Sequence, residues 1–162
     1  MFDKYGEFDS YLEINKAAQG QKDQGDETAL IELAKENGID IEDAQDYFDG
    51  AIPELTNALL AAMGKLDIED SELKSKDIMA DWLGYIRTLC SESEEMQLAV
   101  RKKGKCLKGC IAKLLKWSFD HQRDVDKDII KAAGVKASRC TLGIPGMSTA
   151  HKLIREYYLG GN

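Results

Sequence analysis

Residues 101–122, RKKGKCLKGCIAKLLKWSFDHQ, decide the fold class. Stepped at about 100° per residue, Cys106, Leu107, Cys110, Ile111, Leu114, Leu115, Trp117 and Ser118 share one half of a helical wheel. Lys105, Lys108, Lys113 and Lys116 occupy the other half. That separation predicts an amphipathic helix with one buried face. Gly109 and Ala112 lie among the lysines, which predicts a shallow small-residue patch on the cationic side. Two readings of that side stand open: a solvated face of a core helix, or a surface that meets phosphate or an acidic partner.

Outward from this stretch the chain reads as helices separated by glycines. Ser10 and Glu13 form a capping box, predicting a helix to about residue 19, with Gly20 and Gly25 marking the turn after it. Asp26 caps a second helix over about 27–37, with Leu30, Leu33 and Ala34 on one face and Gly38 as its stop. A third helix spans about 41–48 and ends at Gly50. Pro53 opens a fourth, with Leu55, Leu59, Leu60 and Met63 inward, and residues 64–70 read as a polar break. A fifth helix over about 71–89 carries Met79, Trp82, Leu83, Ile86 and Leu89 at helical spacing. The run Ser91, Glu92, Ser93, Glu94 starts another, through about Lys103. Past the central helix, Asp124 or Asp126 caps a helix ending at Gly134. A loop, KASRCTLGIPGM, follows, and Ser148 caps a last helix through Tyr158. No stretch alternates strongly enough to predict a strand. The expectation is an all-α bundle of roughly eight helices, an acidic N-terminal part over 1–66 and a basic C-terminal part over 71–162, as two domains or one bundle.

The chain has 162 residues, 43% hydrophobic and 31% charged, a globular rather than disordered composition. No apolar run approaches membrane-spanning length, and MFDKYGEFDS lacks the basic and apolar regions of a signal peptide, so the expectation is cytoplasmic, with no membrane partner. The net charge of −7 hides an asymmetry. Residues 1–100 hold 24 acidic and 8 basic side chains, whereas 101–162 hold 5 acidic and 14 basic. Such a chain docks its own halves together or presents surfaces of opposite sign.

Cys106 and Cys110, one turn apart on the apolar face, read as buried thiols, and none of the four cysteines, Cys90 and Cys140 included, reads as a ligand or a disulfide partner. Zinc calls for paired C-x-x-C spacing or Cys/His pairs, and His121 and His151 stand alone. No metal and no cofactor is expected. With no P-loop, no G-x-S-x-G and no paired-carboxylate signature, the chain reads as a non-enzyme.

Two constellations bear on binding. In LAKENGIDIEDAQDYFDG, residues 33–50, Ala34, Gly38, Ile39 and Ala44 have the spacing of a helix-turn-helix. Its second helix, however, carries Glu42, Asp43, Asp46 and Asp49, which repel phosphates. The pattern fits a packed helical pair or an acidic surface that imitates DNA. Near the C-terminus, Gly146, Thr149, Ala150, Leu153 and Ile154 match the second half of a helix-hairpin-helix, whose helix N-terminus offers amides to phosphate. A tight turn with a serine cap fits the same residues.

Residues 103–111, KGKCLKGCI, with their amphipathic continuation, resemble the K-S-x-x-G-C-I core of PcfK-like conjugation accessory proteins of bacterial mobile elements, with cysteine at position 106 in place of the serine. That group includes inhibitors of RNA-guided CRISPR nucleases. The resemblance implies a non-enzymatic binding protein that inhibits or regulates such a nuclease through a protein–protein interface, and it supplies no catalytic residue. The acidic residues Glu42, Asp43, Asp46 and Asp49 are then the expected contacts with the partner. The alternative is a DNA-binding accessory protein using Arg101, Lys102, Lys103, Lys105, Lys108, Lys113, Lys116, Gly146, Ser148, Thr149 and Lys152.

Overall fold

The structure is a computed structural model that describes residues 2–160. It is all-α, with nine helices and one two-residue strand pair among those residues. The helices are α1 (Tyr11–Asp23), α2 (Glu27–Glu36), α3 (Ile41–Asp49), α4 (Ala58–Leu73), α5 (Ile78–Glu92), α6 (Glu94–Arg101), α7 (Leu107–Asp120), α8 (Lys127–Ala132) and α9 (Met147–Leu159). Strands β1 (Arg123–Asp124) and β2 (Thr141–Leu142) pair antiparallel, Arg123 opposite Leu142.

Local chemistry starts most of these helices. Ser10 Oγ accepts the Glu13 amide at 3.3 Å, and Glu13 Oε2 reaches back to the Asp9 amide at 2.7 Å, closing the box one residue early. Asp26 accepts the Ala29 amide at 2.9 Å, and Asp126 that of Asp128 at 2.8 Å. Other boundaries differ from expectation. Helix α1 continues through Gly20 to Asp23, and the turn falls at Gly25. Ser93, not Ser91, caps α6. Helix α7 begins only at Leu107, with Cys106 as its N-cap. Gly146, not Ser148, precedes α9, so Ser148 lies within the helix and no side chain caps it. The unpredicted strands are two residues each, too short to show alternation. Their pairing is reinforced by the Arg139–Asp124 ion pair at 2.6 Å and the Val125 N–H to Cys140 carbonyl bond at 2.9 Å.

The expected polar break over 64–70 is a correction. Helix α4 runs through it without interruption. Lys65 and Glu69 are buried, at i and i+4 on its inward face, and read as polar only because their partners lie elsewhere in the chain. Two hydrophobic clusters meet along this helix. Ala61 packs with Ile14, Leu30, Leu33, Ala44 and Tyr47 of α1–α3. Ala62 and Leu66 pack with Trp82, Ile86, Met96, Leu107, Leu114 and Ile154 of α5, α6, α7 and α9. The expected boundary between 1–66 and 71–162 thus falls inside a helix that both clusters share. Helix α5 starts only at Ile78, because Lys74 (φ 51°) and Asp77 (φ 52°) take left-handed backbone that interrupts the helix. Leu60, Met79 and Leu115, expected inward, are exposed.

At the junction, Lys65 uses all three ammonium donors. Its Nζ lies 2.5 Å from Glu7 Oε1, 3.1 Å from the Lys102 carbonyl and 2.6 Å from the Lys105 carbonyl. Glu69 Oε2 accepts the Leu107 amide at 2.7 Å, at the start of α7. Burial holds the Glu69 carboxyl above the usual range, and the Leu107 bond and Lys65 partly oppose this.

Candidate functional site

Helices α2 and α3 form the helix-turn-helix shape. Ala34, Ile39 and Ala44 are buried, and Gly38 takes φ +68° at the turn. Asp40 caps α3 by accepting the Glu42 amide at 3.1 Å, and Gly50 ends it at φ +80°. On α3, Glu42, Asp46 and Asp49 stand at i, i+4 and i+7, one solvent-facing stripe about 10 Å long. Asp43 is half-buried and faces α4, lining a groove of about 610 Å³ with Asp40, Leu60 and Met63. None of these four carboxylates has an ion-pair partner among the described residues. Glu54, exposed in the loop that follows, extends the same negative surface.

The predicted cationic face is mostly neutralised from within. Lys108 pairs with Glu72 at 3.2 Å, Lys113 with Glu156 at 3.2 Å and Lys116 with Asp120 at 3.0 Å. Lys152 stands 3.8 Å from the same Glu156, and Lys105 Nζ donates to the Tyr157 carbonyl at 2.8 Å. Exposed pairs of this kind add little stability, but they leave less net field for an outside anion. Arg101, predicted as a surface contact, is 1% exposed and donates to Asn37 Oδ1 at 2.8 Å, so no partner reaches it. Of the expected small-residue patch Ala112 is exposed, whereas Gly109 is half-buried under Tyr157: a Cβ there would overlap the Tyr157 hydroxyl, which itself accepts the Cys106 amide at 3.0 Å. Lys102 and Lys103 remain exposed without ion-pair partners among the described residues. Gly146 and Ser148 are exposed and Thr149 half-exposed at the start of α9, whereas it is the opposite end, at Tyr157 to Gly160, that lines a groove with Lys102 and Lys103.

The site reading from sequence missed two groups. Arg123, Lys127, Lys131 and Lys136 are exposed and carry no ion pair among the described residues. They share the segment after α7 with the exposed Leu142, Ile144 and Met147. Arg123 lies on the two-residue β1 and Lys127 and Lys131 on the six-residue α8, elements too short to set up a periodic face, so composition alone pointed there. The second group is the buried Asn37, Lys65 and Glu69 with the half-buried Glu7, invisible because its members are dispersed along the chain.

Burial separates the thiols. Cys90 is pushed up to about 11 and Cys110 to about 12, both mainly by desolvation. Cys140 is half-exposed, and so is Cys106, expected buried but standing at the N-cap of α7 rather than within its inward face. At pH 8 a thiol-reactive disulfide reagent is expected to titrate Cys106 and Cys140 in the native chain, and Cys90 and Cys110 only after unfolding. Rapid reaction of all four without denaturant would contradict this burial.

Among the described residues no cluster of three or more His, Cys, Asp or Glu side chains is arranged to hold a metal ion, and no helix is long and apolar enough to cross a membrane. No protein-family model, curated protein or solved structure matches the chain.

Proposed function

We propose that the chain is a non-enzymatic binding protein of a mobile element that inhibits or regulates a nucleic-acid enzyme, with an RNA-guided nuclease as the target class. The observation that carries this reading is the α3 stripe: Glu42, Asp46 and Asp49, with Asp43 beside them, are negative and without ion-pair partners among the described residues, on a rigid capped helix. Nucleases of this kind hold their nucleic acid in a positively charged channel, and an acidic helix competes for such a surface. The resemblance of residues 103–111 to PcfK-like accessory proteins supplies the target class.

The test measures target-DNA cleavage by a purified RNA-guided nuclease with excess of this protein, beside a variant carrying Glu42→Lys, Asp43→Lys, Asp46→Lys and Asp49→Lys. Cleavage is expected to fall with the unmodified chain. The reversed variant, checked for an unchanged helical circular-dichroism signal, is expected to lose at least about tenfold in inhibitory potency. Equal inhibition by the folded variant removes α3 from the mechanism.

A second reading, DNA binding through the basic C-terminal part, is favoured by one observation: Lys102, Lys103, Arg123, Lys127, Lys131 and Lys136 lack ion-pair partners among the described residues. It predicts a DNA gel shift by the protein alone that weakens steeply with salt as counterions are released. No shift at low salt eliminates it.

A further inference from the structure

Between α6 and the end of α9 lies a groove of about 760 Å³. Its floor is apolar: Leu98, 43% exposed, with Ala99, Tyr157, Tyr158 and Leu159. Its rim is basic, with Lys102, Lys103 and Lys105 against one acid, Glu95. The Lys105 ammonium is held at the wall by the Tyr157 carbonyl, 2.8 Å away, and stands 5.2 Å from the centre of the Tyr157 ring. Lys102 and Lys103 are exposed and carry no ion pair among the described residues. The Lys103 and Gly104 amides are spent on Asp9 and Glu7, so the groove offers side chains: three ammonium groups around an apolar floor. An exposed apolar surface ringed by one sign of charge is an interaction surface, and the partner that fits this one is an acidic helix with an apolar flank.

The chain itself presents such a helix. Helix α3 holds four acids and no basic residue. Glu42, Asp46 and Asp49 form its exposed stripe, and Ile41, 39% exposed, and the half-buried Phe48 stand at i and i+7 on the flank beside it. Within one chain the two surfaces do not meet: no ion pair among the described residues joins an α3 carboxylate to Lys102, Lys103 or Lys105. We propose that a second copy of this chain docks its α3 in the α6–α9 groove, the acidic stripe against Lys102 and Lys103 and the apolar flank over Leu98. Every copy carries both halves of the contact. The contact is narrow and largely ionic, so the complex is transient, with a Kd on the order of 100 µM at low salt. Docking hides the stripe that the inhibitor reading uses, so self-association and nuclease binding exclude each other.

Sedimentation equilibrium of the full chain tests this without any nuclease, so its outcome is independent of the inhibition assay. The average mass is expected to rise above that of the monomer with concentration at about 0.05 M salt and to return to it at about 0.5 M. Glu42→Lys/Asp46→Lys/Asp49→Lys and, separately, Lys102→Glu/Lys103→Glu are each expected to weaken association at least about tenfold. Mixed in equal amounts they are expected to associate again, because each offers the half that the other lacks. Glu27→Lys/Asp81→Lys/Glu92→Lys makes the same change in net charge as the α3 variant at exposed positions elsewhere, and is expected to associate like the unmodified chain. An unmodified chain that stays monomeric at about 1 mM and low salt overturns the proposal, as does association that the α3 and groove variants leave unchanged. A monomer that instead shifts a fluorescein-labelled oligothymidylate, with the shift lost in Lys102→Glu/Lys103→Glu, gives the groove to a nucleic-acid backbone and overturns it too. Should the reversed variants not fold, hydrogen exchange of the unmodified chain decides: raising its concentration is expected to slow exchange in 41–49 and 98–105 together, and slowing in only one of them or in neither overturns it.

Discussion

Replacing Gly64 by alanine is expected to destabilise the chain by about 3 kcal/mol, against the usual sign for a helix interior. In an unobstructed helix the change stabilises by about 1 kcal/mol, because glycine has more backbone entropy to lose. At this position α4 is crossed by the α2–α3 turn, backbone against backbone. A Cβ on Gly64 would lie 2.5 Å from the Asn37 carbonyl oxygen and 2.6 Å from that of Gly38. Neither atom belongs to a side chain that rotates away, so the helix and the turn must separate, and overpacking of this kind costs about 1–3 kcal/mol or more. Asn37 also holds Arg101, so the separation disturbs the buried network. Urea unfolding of Gly64→Ala beside Gly20→Ala measures this. Gly20 lies inside α1 with nothing within 4 Å of its Cβ position, so its alanine variant should gain about 0.5–1 kcal/mol. A stabilised Gly64→Ala would mean that the two backbones do not touch.

Replacing Lys65 by methionine is the second large effect, a loss of about 3–5 kcal/mol. The substitution keeps most of the volume and removes the charge. It leaves the Glu7 carboxylate 22% exposed and the carbonyls of Lys102 and Lys105 without their donor. Removing one partner of a buried pair leaves an uncompensated charge, which costs more than the pair contributes. The loss is expected as a lower midpoint in denaturant at pH 7. Combined with Glu7→Gln it should be smaller than the sum of the two single changes by about 1–3 kcal/mol, the signature of direct contact. Strict additivity would place the two groups apart. The backbone of the α6–α7 turn is therefore held by groups from α4 and from residues 2–9.

Much of the fold was legible from single turns of sequence. Ser10, Asp26 and Asp126 bond amides two or three residues ahead, so the capping residue and the helix it starts lie within one window. The inward stripe of α7 was legible for the same reason: Leu107, Cys110 and Leu114 recur at helical spacing and are buried. The site was less legible. The acidic stripe on α3 could be read as it stands, because exposed charges without partners look the same in sequence and in space. The lysines of α7 could not, because Lys108 and Lys113 meet acids 36 and 43 residues away. A charged residue reads as solvated until its partner is known. That also explains Lys65, whose partner Glu7 is 58 residues distant, and Arg101, whose acceptor Asn37 is 64 residues distant.

By itself the sequence determined the all-α class, the positions of most helices and the division of charge between 1–100 and 101–162. These follow from caps, 3.6-residue periodicity and composition, all local quantities. Only the tertiary structure decided that α4 is one helix bridging two clusters, that Gly38 and Gly64 meet backbone to backbone, and which cations are spent inside the molecule. Those outcomes depend on which distant groups the packing of apolar faces brings within a few ångströms, and no local pattern encodes that distance.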